Sequence, residues 1–118
     1  MQHDILIIDD DPAVLAVVAD ILRDEGYRVR TATNGKEGLV AIEQQRPSLI
    51  LLDMRMPVLD GWGVARALRE RGLDVPVVVM TAAQDARRWA QEVGAVQSLA
   101  KPFDLTELLD VVTLIVTP

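Results

Sequence analysis

The residues best suited to chemistry are a run of carboxylates and three isolated polar groups. The stretch IIDDDPAVL places Asp9, Asp10 and Asp11 directly after an apolar run and directly before a proline that opens another. Adjacent like charges repel, and burial raises the pKa of a carboxyl group, so such a cluster needs a compensating reason. A helix cap, a metal site or both would supply one. Further along stand Asp53 in LLDMRMP, Thr81 in VVMTA and Lys101 in LAKPF, each at the end of an apolar run. Carboxylates facing one lysine and one hydroxyl make a pocket that repels itself unless a hard cation sits in it. Magnesium suits that description: it takes oxygen ligands, keeps several waters and is held by one or two carboxylates plus a phosphoryl oxygen. Asp11 has a simpler reading as an N-cap, because Pro12 follows it and proline fits the first helical turn.

These residues share a site only if the elements between them bring them together. Five short apolar or β-branched runs read as strands: Ile5–Ile8, Tyr27–Thr31, Leu49–Leu52, Val75–Met80 and Val96–Ala100. The first, third and fourth are almost continuously apolar, as in a parallel sheet covered on both faces. Between and after them, helical spacing marks Pro12–Asp24, Gly35–Gln45, Gly61–Glu70, a short Asp85–Glu92 and Asp104–Val116. Strand and helix alternate five times, which predicts a doubly wound α/β fold, a (βα)5 three-layer sandwich around a five-stranded parallel sheet. Ligands of such folds bind at the carboxyl ends of the strands. Asp9, Asp10, Asp53, Thr81 and Lys101 all fall there.

Composition narrows the function classes. The chain has 118 residues, half of them hydrophobic, enough for one domain spanning 1–118 with its own core. It contains no cysteine, which removes disulfides, thiol catalysis and zinc-thiolate sites and suits a cytoplasmic setting. No signal peptide or membrane-spanning stretch is legible. The net charge of −6 disfavours direct nucleic-acid binding. A protein or small-ion partner fits better.

Four motifs in order, DDDP, LLDMRMPVLDG, MTA and KPF, each at a predicted strand end, cover the whole chain. Together they resemble the receiver domain of bacterial two-component response regulators. The resemblance implies a flavodoxin-like fold and assigns roles. Asp53 would be the nucleophile that takes a phosphoryl group from a sensor histidine kinase or a histidine phosphotransfer protein. Asp10, Asp53 and the backbone carbonyl of Arg55 would hold Mg2+, with Asp9 acting through water or by orienting Lys101. Lys101 and Thr81 would each contact a phosphoryl oxygen. Apart from self-phosphorylation and dephosphorylation at Asp53, the domain would not be an enzyme. It would signal to a downstream output protein or domain, with a phosphorylation-dependent dimer among the outcomes the resemblance allows.

Several features depart from the family's pattern or remain outside it. Where that family often carries an aromatic switch residue, three positions before the lysine, this chain has Ser98. The segment TAAQDARRWAQEVG from Thr81 to Gly94 is short, which predicts a truncated fourth helix, with the Thr81–Gln84 loop and Trp89 as the moving parts. Arg55 and Ala83 occupy positions that in the resembled family tune water access to the phosphoryl group, with Arg55 as a long cation over the site. On the first helix, Val14, Val18, Ile21 and Leu22 read as the core stripe. Leu15, Ala16 and Ala19 then read as a partner-docking face near Pro102 and Phe103. Met54 and Met56 read as packing, Gly61 as a turn residue and His3 as inert. The fifth helix runs nearly to Pro118, as in a single-domain regulator or a sequence that stops at a domain boundary. Two other readings compete: an interaction module that is never phosphorylated, and a small aspartate-nucleophile phosphohydrolase.

Overall fold

Side chains of a strand point alternately to the two faces of its sheet, so strands apolar at every position need cover on both. In the computed structural model, which describes residues 3–116, that cover is supplied by helices on each side. The strands are β1 (Asp4–Ile8), β2 (Arg28–Ala32), β3 (Leu49–Asp53), β4 (Val77–Ala82) and β5 (Gln97–Lys101). The helices are α1 (Pro12–Asp24), α2 (Gly35–Gln44), α3 (Gly61–Glu70), α4 (Ala83–Val93) and α5 (Leu105–Val116). All strand pairs are parallel, in the order β2-β1-β3-β4-β5. One face of the sheet, through Ile5, Ile7, Leu49, Leu51, Val78 and Met80, packs on Leu15, Leu22, Leu108 and Val112 of α1 and α5. The other, through Leu6, Ile8, Ile50, Leu52, Val77 and Val79, packs on Leu39, Ile42, Val64, Leu68 and Trp89 of α2, α3 and α4. The expected doubly wound sandwich therefore forms.

Helix starts follow from local side-chain chemistry. Asp11 accepts the Ala13 N–H at 2.9 Å, Asn34 that of Glu37 at 2.9 Å, Asp60 that of Gly63 at 2.8 Å, and Asp104 that of Glu107 at 2.8 Å. Each such cap is worth about 1 kcal/mol. The far end of α2 is held from the sheet. Arg30 of β2 pairs with Asp4 at 2.8 Å and donates to the carbonyls of Ala41 and Gln45, both at 2.7 Å.

Three expectations need correction. β4 begins and ends two residues later than its apolar run, because Pro76 has no N–H for the ladder while Thr81 and Ala82 pair with Ala100 and Lys101. The fourth helix is not truncated: it has 11 residues against 10 in α2 and in α3. The short segment saves its residues in the connection, since α4 starts at Ala83 directly after β4 and leaves no Thr81–Gln84 loop. Gly94, at φ 71°, ends the helix in the left-handed conformation. Finally, α1 buries Leu15, Val18, Ala19 and Leu22, the i, i+3, i+4, i+7 stripe, while Val14 and Ile21 are only partly covered and Val17 is 58% exposed. Leu15 and Ala19 are thus core residues, and of the expected docking trio only Ala16 is exposed.

Candidate functional site

The sheet order reverses between β1 and β3, since β2 flanks β1 on one side and β3 on the other. Parallel sheets open a crevice at the carboxyl ends of strands around such a point. Asp9 follows β1 directly, Asp53 closes β3 and Lys101 closes β5. Asp53 is in register with Met80, so Thr81 lies one residue nearer the rim, opposite Ala100 and next to the partner of Lys101.

Asp9, Asp10 and Asp53 each place a carboxylate oxygen within 4.8 Å of the others; Asp9 and Asp53 are buried and Asp10 is exposed. The Lys101 ammonium donates to Asp9 Oδ2 at 2.8 Å and stands 3.7 Å from Asp53 Oδ1. The second oxygen of Asp9 accepts the Asp11 N–H at 2.9 Å. Asp9 is therefore occupied on both sides and holds Lys101 beside Asp53. Burial, followed by the charge of Asp9, raises the Asp53 pKa from 3.8 to about 7, against an opposing pull from Lys101. One ammonium does not balance three carboxylates. This donor set, all oxygen with an excess of negative charge, fits a hard divalent cation.

The remaining predicted residues divide clearly. Thr81 is buried at the rim. Arg55 is exposed, and its guanidinium lies over Trp89, with Cζ 5.0 Å from the ring centroid. It joins no ion pair with the carboxylates, so the expected cation over the site is Lys101, not the Arg55 side chain. Met54 is fully buried and Met56 packs on the same core, as expected. Gly61 serves close approach more than a turn: a Cβ there would stand 2.8 Å from Met54 Cα and 2.9 Å from the Asp53 carbonyl oxygen. Its absence lets the start of α3 sit against the end of β3. Ser98 is half-buried on β5 opposite Val79. His3 lies before β1, at the end of the sheet away from the carboxylates, and accepts the Arg28 N–H through its carbonyl.

Pro102 and Phe103 do lie beside α1. With Ala13, Val14, Val17 and Lys101 they line an apolar cavity of about 540 Å³ at the same rim. The sequence reading missed Val17 and the pairing of Trp62 with Trp89, whose rings meet edge to face at 4.8 Å. The four-residue spacing from Leu15 through Ala19 would have placed Val17 outward. Nothing local announces the tryptophan pair.

A five-stranded parallel sandwich with an acidic trio, a lysine and a threonine on its rim defines a receiver-type domain. The sequence matches the response regulator receiver domain family over residues 5–113, and the chain belongs to that family. It is 46% identical over 107 residues to the transcriptional regulatory protein PrrA of Mycobacterium tuberculosis, covering 89% of this chain and 46% of that protein. The chain thus spans about half the length of that relative. It is 34% identical over 114 residues to sporulation initiation phosphotransferase F of Bacillus subtilis, covering 95% of this chain and 92% of that one. Among solved structures, the receiver domain of a sensor histidine kinase from Pseudomonas aeruginosa superimposes with a TM-score of 0.88 at 34% identity, covering both chains fully. In that structure a magnesium ion is coordinated in the active-site cleft. No helix among the described residues is long and apolar enough to cross a membrane.

Proposed function

We propose that this receiver domain accepts a phosphoryl group on Asp53 from a phosphohistidine of a sensor kinase or phosphotransfer protein, and passes the signal to an output protein or domain. The observation that carries the reading is the position of Asp53: buried at the strand-order reversal, within 4.8 Å of two carboxylates and 3.7 Å from the Lys101 ammonium. The Asp53 carboxylate attacks phosphorus, the P–N bond to the donor imidazole breaks, and that nitrogen recovers a proton from solvent. Lys101 and the Thr81 hydroxyl then meet phosphoryl oxygens. Phosphoryl transfer depends chiefly on alignment and charge neutralisation, so no general base is required. Asp10, Asp53 and the Arg55 carbonyl would hold magnesium, with Asp9 fixing Lys101. Bound there, the ion would supply positive charge that favours ionised Asp53 and screens the incoming group.

The cavity between α1 and Phe103 supports docking of the donor beside the nucleophile. On this reading turnover is gain and loss of the group on Asp53, and multiple turnover of a phosphomonoester would favour a phosphohydrolase instead. Incubation with acetyl phosphate and magnesium should add one phosphoryl group by intact mass, and Asp53→Asn should abolish the gain. Label on another residue, with Asp53 unmodified, would overturn the assignment.

A further inference from the structure

Arg55 stands two residues after Asp53, and none of the ion pairs among the described residues includes its guanidinium. Its partner is the Trp89 ring, 5.0 Å from Cζ. Trp89 is only 5% exposed and meets Trp62 of α3 edge to face at 4.8 Å and 68°. The Trp62 indole N–H donates to Glu92 Oε1 of α4 at 2.9 Å. Arg88 lies farther from the Trp89 ring, at 5.9 Å, and is committed to Asp85 at 2.7 Å. A line of contacts therefore runs from the loop after the acceptor aspartate, through one guanidinium, into the core side of α4.

We infer that Arg55 and Trp89 form the switch of this domain: phosphorylation of Asp53 draws the guanidinium off the Trp89 face onto the phosphoryl group and frees α4 from the acceptor loop. The inference rests on the phosphoacceptor reading of Asp53. Two features of the chain point to this route. Ser98 presents too small a side chain to fill or vacate an aromatic-sized pocket, and α4 follows β4 with no intervening loop to absorb a displacement.

Bond strengths favour the transfer. A guanidinium on an aromatic face at an exposed site is held weakly. A hydrogen bond to a charged group is stronger, and guanidinium matches the phosphate oxygens two at a time. Reach is sufficient, since two residues separate Cα atoms by at most about 7 Å, a span an arginine side chain covers. In the resting chain Lys101 already engages Asp9 and lies beside Asp53, which leaves Arg55 to the ring. A phosphoryl dianion supplies acceptor oxygens that the ring does not.

The Arg55 Nε–H resonance of the full chain reads this contact directly, because a group over an indole face is shifted upfield. Beryllofluoride with magnesium should move that resonance downfield to the position of an unstacked arginine. In a Trp62→Phe protein, whose emission comes from Trp89 alone, fluorescence should change with the same midpoint. Should Trp62→Phe fail to fold, the resonance in the unaltered chain still decides. An Arg55 signal that stays in place, while intact mass shows the phosphoryl group added, overturns the switch and leaves the phosphoacceptor reading intact. Absence of both the mass gain and beryllofluoride binding overturns the two together.

Discussion

Asp53 carries a cost that its own protonation relieves. Burial and the neighbouring Asp9 raise its pKa to about 7 from 3.8, so between those values the native state binds a proton that the unfolded chain does not. Stability from this group is complete below the unfolded pKa and is lost as pH rises through the folded one. In metal-free buffer, Asp53→Asn should therefore melt higher than the parent at pH 8, by a few degrees, and the gap should close by pH 4. Thermal melts with a chelator at both pH values check this, and added magnesium should narrow the gap at pH 8. A second cost lies five residues on. Val58, 74% exposed, sits at φ 71°, where its branched Cβ is strained, in a tight turn closed by the Leu59 N–H on the Pro57 carbonyl at 2.8 Å. The left-handed region costs a non-glycine residue roughly 1–2 kcal/mol, partly offset by the greater freedom glycine loses on folding. Val58→Gly should gain on the order of 1 kcal/mol in urea denaturation, because the exposed side chain contributes little packing.

Among the elements, α1 shows how a correct helix can be read with the wrong face inward. Apolar residues surround most of its circumference, and a stripe through Val14 and Val18 competes with one through Leu15 and Val18. The packed structure selects the second, because α1 lies against β2 and β1 and puts Leu15, Val18, Ala19 and Leu22 into the core that α5 also closes. The consequence is testable by two substitutions with opposite outcomes. Leu15→Glu puts a carboxylate into the core and should unfold the domain, in line with the several-kcal/mol cost of an unpaired buried charge. Val17→Glu alters an exposed residue at the mouth of the cavity and should change stability by less than about 0.5 kcal/mol. It should slow transfer from a phosphohistidine donor several-fold while sparing acetyl phosphate labelling. Circular-dichroism melts and labelling time courses separate the two effects. Equal loss with both donors would place Val17 in folding and not in docking. Strand and cap identities were legible here because each is decided within a few residues: the run Leu49–Leu52, Asp11 before Pro12. The facing of α1 was not, since it depends on neighbours distant in sequence.

Across the whole molecule, two cores share one sheet, and the site sits where both reach its carboxyl rim. The carboxylates, Thr81 and Lys101 were legible because strand order converts sequence position into a common edge. The Trp62–Trp89 pair was not, because it exists only once α3 and α4 lie side by side on the same face. That face is unevenly fastened. α2 has an N-cap from Asn34, a bond from the Gly35 N–H to the Leu59 carbonyl at 3.0 Å, and Arg30 on its last carbonyls. α4 has no side-chain cap and buries only Ala86, Trp89 and Ala90. A helix whose first turn lacks a side-chain cap opens there at lower free energy than one tied at both ends. A charge change at Asp53 should therefore be expressed in α4 and β5 and stop short of α2. Beryllofluoride with magnesium should alter amide exchange over residues 81–98, changing rates severalfold, and leave Leu39 and Ile42 nearly unaffected. The same experiment on Trp89→Leu, with magnesium binding and mass gain confirmed, should show a smaller contrast between the two states, because α4 is already loosened at rest. A response in α2 with residues 81–98 silent would place the output on the opposite half of this face.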